Sequence, residues 1–151
     1  MDYLVLLTGI ACGLAFIGVG GAFYEFTVVD PFWPKRPDLI QPQRGGISRK
    51  RFWIPAHTAF EFGLLLTLIV AWSAAEVRFW LLVAVVSHAA MRIWSAFDFI
   101  PKALAFEAGD PETINESDAR NWTRRSVLRL PLALVTSFAA MAAFFEAAQA
   151  A

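Results

Sequence analysis

Six ionisable residues fall inside segments of this chain that are otherwise apolar: Glu25, His57, Glu61, His88, Arg92 and Arg129. His57 and Glu61 are four residues apart and share a helix face, as do His88, Arg92 and Ser95. Ionisable groups in such surroundings are costly and mark functional positions. The two acids balance the two arginines, and an unpaired buried charge is far more costly than a paired one. Three chemistries use this set. In the first, no metal takes part. His57 or His88 removes a proton from an apolar substrate, Arg92 and Arg129 stabilise the resulting anion, and Glu25 and Glu61 orient the base or replace it. In the second, His57, Glu61, His88 and Glu25 supply ligands for an iron site of the facial-triad kind. Histidine here precedes glutamate by four, which departs from the Glu-x-x-His spacing of paired-carboxylate bundles. In the third, a haem is bound. Two histidines on one haem need similar depth, and helix rise puts His57 and His88 about 12 Å apart, which leaves ligation by one of them. The metal-free chemistry ranks first, so no cofactor is expected, with iron and then haem as the alternatives.

The elements that must position these groups follow from composition. The chain has 151 residues, 58% of them hydrophobic and only 17% charged, with a mean hydropathy of +0.52. So small a body lacks the interior to hide that much apolar surface in water, and disorder is excluded on the same ground. The formal net charge is zero, which gives no basic face for nucleic acid. Cys12 is the single cysteine, so an internal disulfide and a cysteine-based zinc motif are both excluded. A membrane core about 30 Å thick takes roughly 20 apolar residues as a helix. Four segments qualify, at about 3–29, 54–75, 77–100 and 125–148. The first lacks the basic start of a signal peptide and reads as a retained span. The fold class expected is therefore all-α: one integral-membrane four-helix bundle, with loops at 30–53 and 101–124.

The loops differ in character. Pro31, Pro34, Pro37 and Pro42 forbid a regular helix in the first, and Gly45-Gly46 marks a turn. The second connection is nearly absent, which makes the middle helices an antiparallel hairpin. The third is acidic, with a Gly109-Asp110-Pro111 turn and a short surface helix expected within 112–122. Ten of the 13 basic residues lie on the side of the two long loops. That places both loops in the cytoplasm and both termini on the non-cytoplasmic side. Helix rise then sets Glu25, His57 and Arg129 about 5–8 Å inside that face, Glu61 and Arg92 about 10–12 Å, and His88 about 18 Å. Phe32, Trp33, Phe52 and Trp53 read as interfacial anchors at one face, and Trp72, Phe79 and Trp80 at the other. Trp94, Phe97 and Asp98 lie near the polar set and are candidate substrate contacts. Gly18 and Gly21 stack on the side of Glu25 and leave either close helix contact or ligand space. Gly9 and Gly13 form a small-xxx-small pair for packing within or between subunits.

Two stretches carry a family resemblance. The third helix ends FDFIPKALAFEAGDP and leads to ARNWTRRSVLRLPLALVT, and the first helix ends YEFTVVDPFWP. These resemble the four-helix integral-membrane family that includes the anthrone oxygenases of aromatic polyketide pathways, with the best local match from about Phe97 to Thr136. The resemblance implies oxidation, by dioxygen and without a cofactor, of an activated methylene in a fused aromatic ring to a carbonyl. It implies roles for Glu25, for Trp122 and for Arg129, which match the family's pattern by position. The HTAFE and HAAMR stretches holding His57, Glu61, His88 and Arg92 fall outside that pattern. HTAFE is similar in spacing to membrane sterol isomerases, which makes acid–base isomerisation a further alternative. The expected partners are a lipophilic small molecule and the bilayer, in a bacterial cytoplasmic membrane. The competing non-enzymatic reading is an accessory subunit of a larger membrane complex, or a small carrier.

Overall fold

A computed structural model describes residues 3–151, and among them there is no β-strand. Four helical rods are long and apolar enough to cross a membrane: Tyr3–Val29, Lys50–Val70, Ala75–Ala108 and Glu116–Gln149. The first is α1 (Tyr3–Tyr24) continued by a π-helical turn, Glu25–Val29. The second is α2 (Lys50–Val70). The third joins α3 (Ala75–Trp94), a second π-helical turn (Ser95–Phe99) and α4 (Ile100–Ala108). The fourth joins α5 (Glu116–Ser126), a 3₁₀ turn (Val127–Arg129) and α6 (Leu130–Gln149).

The first rod has the expected bounds and the other three do not. The second starts at Lys50 rather than 54 and ends at Val70 rather than 75, the third runs to Ala108 rather than 100, and the fourth begins at Glu116 rather than 125. The segment 101–124 is thus mostly helical, broken only around Gly109 to Asn115. The cause is physical. Apolar composition marks where a helix is greasy, while backbone hydrogen bonding continues through charged turns such as Lys50-Arg51 until a true stop intervenes. Here the stop is the break after Gly109. Asn115 then restarts the helix, its side-chain oxygen accepting from Ser117 N at 2.8 Å and Asp118 N at 3.3 Å. The hairpin expected between the middle helices is present, turning at residues 71–74, with Ala74 N donating to Ala71 O at 2.9 Å. Arg78 caps it by donating to the Trp72 carbonyl.

Small residues make the bundle. Ala139, Ala140, Ala143 and Ala147 of α6 are buried against Ala11 and Ala15 of α1 and Val77, Leu81 and Ala84 of α3. Within lipid, such contacts hold helices by close packing rather than by water exclusion. Gly9 belongs to this seam: an added Cβ would stand 3.3 Å from the Phe144 ring, whereas Gly13 faces open space. The outer faces carry Ile17, Phe62, Ile69, Val86 and Ile93, all exposed, as a lipid-facing surface requires. Replacing Ala143, which has no exposure, by leucine should force α6 off α1 and α3. The expected cost is about 1–3 kcal/mol, read as a lowered midpoint of thermal unfolding in detergent.

The Pro-rich segment 30–49 is folded as three 3₁₀ turns, each with proline in its first positions, and closes with Gly45 at φ 86°. Gly46 packs so closely that a Cβ would lie 2.2 Å from the Asp38 carbonyl oxygen. The segment docks on α4. Gln41 Nε2 donates to the carbonyls of Phe106 and Gly109, both at 2.9 Å, and Glu107 pairs with Lys50 at 2.8 Å and Arg49 at 3.5 Å. Trp33 is wholly buried beside Ile40, Phe99, Ala119 and Trp122. It is a core residue of this cap and not the interfacial anchor expected of it. Phe32, Trp72 and Phe79 are exposed, as anchors should be.

Candidate functional site

Helices α3 and α6, α1 and α6, and α1 and α2 pack along much of their length, while the hairpin partners α2 and α3 touch sparingly. The gap is a cavity of about 380 Å³, walled mostly by apolar side chains of α1, α2, α3, α4 and α6. Two polar groups of residues enter it.

The first group is His57, Glu61, His88 and Arg92. Nε2 of His88 lies 3.2 Å from Oε1 of Glu61, and Nε of Arg92 forms an ion pair with the same oxygen at 2.8 Å. The His57 and His88 ring centroids are 5.8 Å apart. Both imidazoles and Arg92 line the cavity, and Glu61 does not. The depth difference of about 12 Å expected between the histidines is therefore wrong. His57 stands 13 residues before the end of α2 at Val70, and His88 stands 13 residues after the start of α3 at Ala75. A tight hairpin places positions equidistant from its turn at one level. Depth measured from the charged ends failed because both helices extend past those ends. Trp53 stacks on the His57 ring at 5.2 Å, and Phe60 meets the His88 ring edge-on at 4.9 Å. Among the described residues, no hydrogen bond engages the His57 ring.

The second group surrounds Arg129, which lines the cavity together with Phe99, Trp122 and Arg49. Its Nη1 donates to Ser95 Oγ at 3.1 Å, its Nε donates to the Ser126 carbonyl at 3.2 Å, and its guanidinium lies 4.3 Å over the Phe99 ring. Among the described residues, no carboxylate is within 4 Å of it. Glu25 also lines the cavity, and its carboxylate has neither an ion-pair nor a hydrogen-bond partner among those residues. Glu25 and Ser95 each open one of the two π-helical turns. Such turns insert a residue into the helical register and recur at functional sites.

Asp30, in the segment after the first π-helical turn, is buried, its carboxylate accepting from Trp33 Nε1 at 2.9 Å. Burial, reinforced by the neighbouring Glu25, pushes its pKa up to about 6, against the opposing pull of the Trp33 bond, Arg49 and Arg129. The folded state thus holds this proton more tightly than the unfolded chain does. Stability falls as pH rises from about 4 through 6, by on the order of 2–3 kcal/mol. Asp30→Asn keeps an oxygen for Trp33 and removes the proton. It should flatten the profile of unfolding midpoint against pH over that window.

The remaining candidates divide. Gly18 lines the cavity with open space beside it, while the place of a Gly21 side chain is taken by the Phe52 ring, 2.2 Å from an added Cβ. Gly18 is the one that leaves ligand space, and Gly21 is a packing contact. Phe97 is 84% exposed and faces away from the cavity. Trp94 packs on Phe99 outside the cavity wall, and Asp98 pairs with Arg125 and, at 3.5 Å, with Lys102. None of these three lines the cavity. Phe99, Ser126 and Arg49, which lines the cavity and lies over Trp33 and Trp122, were not singled out from the sequence. Phe99 continues the stripe His88, Arg92, Ser95 at helical spacing, a signal present in the sequence. No family model matches the chain, and no curated protein or solved structure is similar to it.

Proposed function

We propose that this chain is a membrane-embedded oxygenase that converts an activated methylene of a lipophilic, fused aromatic substrate to a carbonyl, as the anthrone oxygenases it resembles do. The observation that carries the reading is the pairing of an apolar cavity with Arg129, a guanidinium fixed on three sides and engaged by no carboxylate at ion-pair distance. The apolar walls take the ring system. Glu25 accepts the proton of the activated methylene, and Arg129 holds the oxyanion of the enolate or phenolate that results. The electron-rich anion then reduces dioxygen, and the balanced outcome is methylene plus dioxygen to carbonyl plus water. Desolvation in the cavity strengthens the interaction of Arg129 with the anion. The excess of basic residues in the two long loops supports an orientation with both termini on the non-cytoplasmic side of a bacterial cytoplasmic membrane.

The test is product analysis. Purified protein in detergent is incubated with a panel of anthrones under air and under nitrogen. The expected product has gained one oxygen and lost two hydrogens, in air only, faster than the substrate's spontaneous oxidation. Stable, folded protein that leaves every substrate at its spontaneous rate contradicts the reading.

A further inference from the structure

We propose that His57, Glu61 and His88 bind one divalent first-row transition-metal ion at the level where α2 and α3 bring them together. Each offers one ligand atom, and these atoms lie within 4.8 Å of one another. Around an ion with bonds of roughly 2.0–2.2 Å, ligand atoms stand about 3–3.5 Å apart, so modest rotations about the side-chain torsions close the site. The ligands come from two helices held by a tight turn, which fixes their relative height. Their surroundings fit ligation as well. Trp53 and Phe60 hold the planes of the two rings, and Arg92 orients Glu61 through the 2.8 Å ion pair. Supporting contacts of this kind set ligand geometry in metal sites. The His57 ring, free of hydrogen bonds among the described residues and facing the cavity, has its nitrogens available.

Two nitrogens and one oxygen suit Fe²⁺, Zn²⁺ or Co²⁺ better than soft-sphere ions. Both histidines line the cavity, so coordination positions left open on the ion are reached from the cavity. With Glu61 and Arg92 cancelling, the bound ion keeps its full charge in a low-dielectric setting. Those positions therefore select an anion, hydroxide or an enolate or phenolate of the substrate. Ligation stands on the geometry alone, and only the delivery of a substrate anion rests on the function proposed above.

The experiment is titration of chelator-stripped, detergent-purified full-length protein with Co²⁺, followed by visible absorption. One equivalent should bind, with the ligand-field bands of a low-symmetry site. His57→Ala, His88→Ala and Glu61→Gln should each weaken binding at least about tenfold, while Arg129→Gln should bind Co²⁺ like the wild type. Wild-type protein that shows no such bands overturns the proposal, whether or not the variants fold. Folded His57→Ala that binds Co²⁺ as tightly as wild type also overturns it. Stoichiometric Co²⁺ binding in protein that turns over no anthrone supports the site and removes the oxygenase reading. Undiminished turnover by folded, metal-free His57→Ala protein leaves that reading in place and removes the metal site from it.

Discussion

Replacing Arg129 by glutamine is expected to lower kcat for an anthrone about 10²–10³-fold, the range seen when one preorganised oxyanion donor is lost. The helical content should stay unchanged, because glutamine fills much of the volume beneath Phe99 and can still bond Ser95. The loss should fall on kcat more than on KM, since the full negative charge exists only as the proton departs. Arg129→Lys separates charge from geometry. Lysine keeps the cation but cannot bond Ser95 and the Ser126 carbonyl through a planar fork while lying flat on a ring. It should recover only part of the rate. Steady-state kinetics on the three proteins checks this, and equal kcat in all three would remove Arg129 from the chemistry.

Replacing Glu61 by leucine should destabilise the protein by about 3–5 kcal/mol in a bilayer, the cost of leaving one partner of a desolvated pair alone. The Glu61 and Arg92 side chains are 38% and 35% exposed, and in a membrane that exposure is to lipid and not to water. Arg92 is left without its carboxylate, and His88 loses the oxygen at 3.2 Å. The double variant Glu61→Leu/Arg92→Leu removes both charges together and should return to within about 1 kcal/mol of the wild type, still lacking metal affinity. Unfolding in lipid nanodiscs, measured for both variants, gives the comparison. A double variant as unstable as the single one would mean that the pair is not what holds α2 and α3 at this level.

Four helices long and apolar enough to cross a membrane were legible from composition and from the length of the apolar runs. So was the meeting of His57, Glu61, His88 and Arg92, through spacing of four on each of two hairpin helices. The equal height of the histidines was legible in principle, because it needs only the position of the turn, yet it was obscured by measuring depth from the charged ends. The π-helical turns at Glu25 and Ser95 were not legible. They shift the register by one residue without any change in apolar pattern. The Pro-rich segment announced an irregular loop, and its docking on α4 through Gln41 and Glu107 depends on contacts some 60 residues apart in sequence, which no local pattern encodes.

The central claim, oxidation inside the membrane cavity, is tested most directly with isotopically labelled dioxygen. Wild-type and Arg129→Gln proteins, purified side by side, are given an anthrone under labelled gas, and both the rate and the label in the new carbonyl are measured. The wild type should place one labelled oxygen in the product at a rate well above that of the variant and of the protein-free control. Equal rates in all three, with folded protein throughout, would contradict the account.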